Sequence, residues 1–268
     1  RLTGWRHDGR NLVDAARPDM ARAETDNDRG AGYGSDRNGP LAGLDAWTDA
    51  HDTWRPAVRI AETRDRDAMA IVASGPLLDG EATLEVRYTI HPAGELDVDY
   101  RYRANAELPL LPRVGMLWTL SPELDRIRWY GPGPHPTYSD RNFERLGIWE
   151  STVLNDWVDY SRPQENGNKF GVRWMAVTDG AGAGLRIEAL GGSPLSVNAL
   201  PWPAARLRAT DYSWQLPRPV ATYLNIDFAQ MGVGGDNSWG AIAHEAHLLG
   251  AREYAYRYRV SPLPARAR

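Results

Sequence analysis

Thr222 to Gly240 reads T-Y-L-N-I-D-F-A-Q-M-G-V-G-G-D-N-S-W-G. Tyr223, Asn225 and Asp227 alternate with Leu224, Ile226 and Phe228, the period of a strand with one buried face. Gly232, Gly234 and Gly235 then break the strand. They predict a loop with positive φ that passes close to another surface. The loop ends on Asp236, Asn237 and Ser238, three short polar residues, followed by the large indole of Trp239. A rigid loop of this kind can hold an aromatic plate over a sugar ring. The pattern alone favours the other reading, a hairpin end whose Trp239 plugs the core, since most Trp side chains are mainly buried.

Outward from this stretch the pattern stays β. Strands are predicted at 59–63, 69–73, 82–90, 96–102, 114–120, 185–190, 195–199 and 254–260. Asp79-Gly80 and Pro92-Ala93-Gly94 are turn signals between them. Val86, Tyr88 and Ile90 share one face, while Glu85, Arg87 and Thr89 take the other, as in an antiparallel sandwich. Residues 2–13 predict a hairpin around a type I′ turn at Asp8-Gly9. Short helices are predicted at 41–51 and 203–210. No stretch has the βαβ alternation of a TIM barrel. The reading is one all-β domain over 1–268, a large antiparallel β-sandwich with a few short helices.

Composition narrows the function. The chain has 268 residues, a net charge of −4 and no cysteine. Mild, mixed charge suggests neither a nucleic-acid nor a membrane partner. Without cysteine there is no disulfide framework and no thiolate chemistry. No apolar run reaches the ~20 residues of a membrane span. Lys169 is the sole lysine, which reads as arginine-rich coding bias rather than a phosphate-binding surface. The chain opens on Arg1 and almost at once on a hairpin, so it is expected to be a fragment lacking its first strands, excised from a longer protein.

Four motifs, in order, carry a resemblance. R-A-E-T-D-N-D (22–28), W-Y-G-P-G-P-H-P-T-Y-S-D-R (129–141), P-Q-E-N-G-N (163–168) with Arg173-Trp174, and L-N-I-D…Q-M-G-V-G-G-D-N-S-W-G (224–240) resemble the small-chain, fifth domain of family 2 β-galactosidases. The resemblance runs from about residue 22 to 260. Pro136 stands where the family motif has a glutamate, so any role of that carboxylate is in doubt.

The resemblance implies a galactose-mutarotase-like supersandwich that completes the active-site mouth of a separate barrel hydrolysing terminal β-galactosides such as lactose. It implies that the catalytic carboxylates lie on the barrel or large subunit. This chain alone is then expected to be inactive, with no catalytic residue and no cofactor; the family's magnesium and sodium go with the barrel. It implies an oligomeric, cytoplasmic enzyme. Trp239 takes the place of the family's substrate-contacting tryptophan, with Asp236, Asn237 and Ser238 beside it as substrate-binding candidates. Two rival readings are a stand-alone aldose epimerase, with His135 as its acid–base candidate, and a carbohydrate-binding module.

The remaining candidates have structural readings beside the functional ones. Asp26, Asn27 and Asp28 offer oxygens for a hard cation, but without EF-hand spacing a turn network is expected. Asp140 and Arg141 are expected to form an ion pair and loop clamp. Gln164, Glu165 and Asn166 are expected to pin loop backbones rather than bond sugar hydroxyls. His244 and His247 are three apart, not the four of H-E-x-x-H, and on a strand they would point to opposite faces, so no metal site is expected.

Overall fold

The computed structural model describes residues 2–34, 38–63, 67–237 and 240–265. In chain order its strands begin with β1 (Trp5–His7), β2 (Arg10–Asp19), β3 (Ala57–Ala61), β4 (Met69–Leu77) and β5 (Ala82–Ile90). Next come β6 (Leu96–Ala104), β7 (Arg113–Leu120), β8 (Arg126–Gly133), β9 (Arg145–Thr152) and β10 (Lys169–Val172). The series ends with β11 (Trp174–Thr178), β12 (Gly184–Leu190), β13 (Leu195–Leu200), β14 (Thr222–Gln230) and β15 (Glu253–Leu263). They form two antiparallel sheets, a six-stranded one in the order β1-β2-β7-β14-β13-β10 and a nine-stranded one in the order β3-β4-β5-β6-β15-β12-β11-β8-β9. The expected all-β sandwich is present.

The core lies between the sheets because alternation delivers apolar side chains there from both. Leu224 and Ile226 of β14 and Val114, Met116 and Trp118 of β7 share one cluster with Val86, Val98, Tyr100, Tyr256 and Tyr258. Each large apolar side chain so buried contributes roughly 1.5–3 kcal/mol. Two hydrogen bonds cross between the layers: the Trp118 indole donates to the Tyr258 hydroxyl (3.0 Å), and the Tyr256 hydroxyl donates to the carbonyl of Ile226 (2.7 Å).

The predicted N-terminal hairpin is β1–β2, with positive φ at both Asp8 (48°) and Gly9 (76°), as a type I′ turn requires. The helix predicted over 41–51 is two short turns instead, a 3₁₀ turn at Leu44–Trp47 and α2 at Ala50–Thr53, after α1 at Asp26–Gly30. Trp47 and Trp54 are both buried, and the indole of Trp47 donates to Leu110 (2.8 Å), so the segment bends to place both rings. The helices at Val153–Asp156 (α3) and Ala204–Arg208 (α4) are equally short. Among the described residues no helix is long and apolar enough to cross a membrane.

One departure from the alternation matters for function. Asn225 and Asp227 face away from the core, where a half-buried strand would meet water, yet they are 4% and 0% exposed. The outer face of the six-stranded sheet is covered and polar.

Candidate functional site

The chain leaves β14 at Met231 and is gripped at once. The N–H of Met231 donates to Pro112 (2.9 Å) and that of Gly232 to His247 (2.9 Å). The buried Arg22 guanidinium donates to the carbonyls of Met231 (2.6 Å) and Gly232 (3.0 Å). Asn27 donates its amide to Val233 O (2.8 Å). One Asp140 carboxylate oxygen accepts the N–H groups of Val233 (2.9 Å) and Gly234 (2.8 Å). Four segments far apart in sequence thus hold four consecutive residues.

The grips are themselves fixed. Arg22 makes a two-pronged bond to Asp28 (3.0 and 2.7 Å). Asp28 also closes a capping box on α1: it accepts the Thr25 N–H (2.9 Å), while Thr25 Oγ1 accepts the Asp28 N–H (3.1 Å). The D-N-D segment is therefore a cap and a clamp, with Asp28 fully engaged.

The glycines of the loop act by size. Gly232, Gly234 and Gly235 do not adopt the positive φ expected of them. A Cβ at Gly232 would strike Asp140 and Ala243, and one at Gly235 would strike the Ala241 carbonyl. Close backbone approach is the constraint there. At the far end, Gly240 does have positive φ (102°) and packs against the backbone of Gly30. The described residues on either side, Val233 and Gly240, thus both meet the α1 region. Asp236 is exposed and contacts the His244 ring (2.8 Å), and Asn237 is exposed. Ser238 and Trp239, the other two predicted substrate-binding residues, lie outside the described residues.

Behind the loop stands a buried charge network. Arg113, 1% exposed, donates to Glu165 (3.0 Å) and lies 3.7 Å from Asp19 and from Asp227. Glu165 also accepts from Asn198 (2.6 Å) and Gln230 (3.3 Å), and Gln230 in turn accepts from Arg22 (3.3 Å). Burial pushes the Asp227 carboxyl well above its ordinary range, against the pull of Arg113. Among the described residues its oxygens have no hydrogen-bond donor.

The P-Q-E-N-G-N side chains are spent on protein. Gln164 exchanges two hydrogen bonds with Asp26 (both 3.0 Å), and Asn166 accepts the Val158 N–H (3.1 Å). Gly167 takes the turn's positive φ (74°). Lys169 is buried on Asp156 (2.7 and 2.8 Å) and holds this segment down.

The other candidates separate. Asp140 is a loop clamp, but its predicted ion pair with Arg141 is absent among the described residues. Arg141 donates to the carbonyl of Pro136 (3.2 Å), a partner independent of the side chain at 136. His135 is 74% exposed and pairs with Glu144 (3.0 Å) at the surface, so no cavity encloses it with a sugar. His244 precedes and His247 ends a 3₁₀ turn at Glu245–His247 rather than lying on a strand, because the His247 N–H bonds back to the His244 carbonyl (2.8 Å).

The family model described as "Beta galactosidase small chain" matches residues 1–260. β-Galactosidase BgaC of Bifidobacterium adolescentis is 37% identical over 234 residues, which are 86% of this chain and 22% of that protein. The β-galactosidase of Priestia megaterium is 32% identical over 260 residues, 94% of this chain and 24% of that protein. Galactose 1-epimerase from Lactobacillus acidophilus shares the fold, with a TM-score of 0.52 at 10% identity over 97% of this chain and 87% of that one. The sandwich is therefore galactose-mutarotase-like. The chain spans about a quarter of the length of these curated relatives.

Proposed function

Since the chain belongs to the β-galactosidase small-chain family, we propose that it completes the active-site mouth of a β-galactosidase whose catalytic barrel is the remainder of the enzyme. One observation supports this reading: the 231–234 backbone, which leads into residues 236–239, is anchored by Arg22, Asn27 and Asp140. An anchored approach lowers the ordering entropy that docking a sugar there would cost. Trp239 then stacks on the outer sugar of a β-galactoside, with Asp236, Asn237 and Ser238 offering polar contacts. Hydrolysis in this family-2 reading is retaining and needs two carboxylates ~5–5.5 Å apart flanking the glycosidic bond. The acids gathered here around Arg113 are occupied by their buried network, and the catalytic pair belongs to the barrel. Magnesium and sodium go with the barrel as well. Among the described residues no three His, Asp or Glu side chains are grouped as a metal site.

The test has two arms. The isolated chain should not turn over a nitrophenyl galactoside, and turnover that survives further purification would overturn the reading. In the complete enzyme, Trp239→Ala should weaken lactose or glucose-acceptor binding by roughly tenfold, the loss of ~1–1.5 kcal/mol of stacking. A large drop in melting temperature with unchanged acceptor binding would instead make Trp239 a core residue.

A further inference from the structure

The covered face of the six-stranded sheet holds a cleft that the loop does not use. Register places Arg17 of β2, Leu117 of β7 and Asn225 of β14 side by side on that face. Above them lies a cavity of about 190 Å³ whose floor includes Asp19, Glu165 and Asn225. Trp202, which leads into α4, and Tyr223 of β14 line its wall. None of the described residues among 231–240 lines it.

Three features make this a built site. First, Asn225 is 4% exposed and gives its amide to Asp19 (3.0 Å), while its carbonyl oxygen has no protein donor among the described residues. Likewise the Tyr223 hydroxyl has no protein partner among the described residues, although the residue is half-buried. Both oxygens are open to a ligand hydroxyl, which can donate to one and accept from the other. Second, Trp202 is held in place, its N–H on the Pro217 carbonyl (2.8 Å) and its ring set edge-on against Trp157 (centroids 5.2 Å apart). A fixed indole wall suits the C–H face of a sugar ring. Third, the lining carries both signs of charge. Asp19, Asp49 and Glu165 share it with Arg17, Arg208 and His51, and among the described residues Arg208 has one side-chain N–H bond to protein, to the Arg22 carbonyl (3.1 Å). An anion would meet three carboxylates and a cation two guanidinium groups. Hydroxyl groups, which both donate and accept, fit acceptors and donors placed together. The volume lies below the roughly 300–1,000 Å³ of a drug-sized pocket and limits the occupant to about one sugar ring.

We propose that this cleft binds a free monosaccharide, a neutral aldohexose, with its ring against Trp202 and its hydroxyls on Asn225, Tyr223 and Arg208. This inference does not depend on the role of Trp239.

The 268-residue chain would be titrated with D-galactose and D-glucose by calorimetry and by saturation-transfer NMR, with inorganic phosphate as the charged control. Saturable one-site binding of one hexose near about 1 mM is expected, with phosphate not competing. Trp202→Ala should weaken it about tenfold or more. Tyr223→Phe removes only an oxygen that has no protein partner among the described residues. It should leave the melting temperature unchanged and weaken binding about threefold or more. Three results would each overturn the proposal: no saturable binding of either hexose, phosphate binding more tightly than both, or unchanged affinity in Tyr223→Phe together with Trp202→Ala.

Discussion

Asp140→Ala tests whether the loop base positions Trp239. One carboxylate oxygen accepts two backbone N–H groups, at 2.9 and 2.8 Å. Hydrogen bonds to a charged acceptor are worth about 1.5–3 kcal/mol each. Asp140 is half-buried, so the lower figure applies, and the pair holds residues 233–234 by roughly 3 kcal/mol. If all of that reached the global equilibrium, the melting temperature would fall by about 6–12 °C. Loop release is local, so a smaller fall is expected. In the complete enzyme the released loop should lose most of the roughly tenfold acceptor affinity assigned to Trp239. A double-mutant cycle decides the matter. Asp140→Ala combined with Trp239→Ala should bind acceptor no more weakly than Trp239→Ala alone, because both remove one contact. The assay is acceptor-dependent transglycosylation with glucose. If the two effects multiply to about a hundredfold loss, Asp140 acts by another route. If Asp140→Ala leaves acceptor affinity intact, the base does not position Trp239 and the reasoning fails.

Arg113→Met should cost about 3–5 kcal/mol, because it strands Glu165, Asp19 and Asp227 without their cation. A melting temperature about 10 °C or more lower is expected, and a change within a degree or two would show that the network is not held by charge. The pH dependence follows from Asp227, whose folded-state carboxyl is raised by burial. Above the ordinary carboxylate pKa of about 3.9 the folded state then binds the proton more tightly than the unfolded state, so stability falls as pH rises toward the raised value. Urea unfolding should therefore give a more stable chain at about pH 5 than at about pH 8, and Asp227→Asn should flatten that difference. An unchanged slope in the mutant would remove Asp227 as its source.

Much of the fold was legible because antiparallel strands with one core face write themselves as alternation. Ala82–Ile90 and Glu253–Leu263 alternate buried and accessible residues along nearly their whole length. Arg145–Thr152 escaped for a physical reason. It is an edge strand of the nine-stranded sheet, and Leu146 and Ile148 point outward at 53% exposure each, so its apolar residues do not mark a core. The polar sheet face escaped as well. Asn225 and Asp227 read as solvent-facing, and nothing local to β14 announces the loops that cover them. Arg113 stands just before the strand predicted at 114–120, and no motif singles it out. The clue available was a lone charge at the head of a strand otherwise buried along almost its whole length. The glycines of 232–235 were rightly read as a tight loop, but sequence cannot tell a glycine needed for φ from one needed for room.

The buried charges make physical sense once the loop is considered as irregular backbone. Replacing a buried ion network with apolar side chains of the same volume is often neutral or stabilising, so stability alone does not explain Arg22 and Arg113. Residues 231–234 run through the interior outside any ladder, and their carbonyls and N–H groups must each find a partner. Leucine or methionine would fill the space and leave those groups unpaired. A guanidinium carries enough donors to take two successive carbonyls and still bind a carboxylate, as Arg22 does with Met231, Gly232 and Asp28. Its charge then requires Asp28. Through Gln230 the same network reaches Glu165, and through Glu165 it reaches Arg113 at the centre of the sheet. Asp227 completes that centre only because β7 has glycine opposite it, since any Cβ at Gly115 would collide with its carboxylate. The chain of contacts therefore ties the base of the 231–235 loop to the buried centre of the six-stranded sheet.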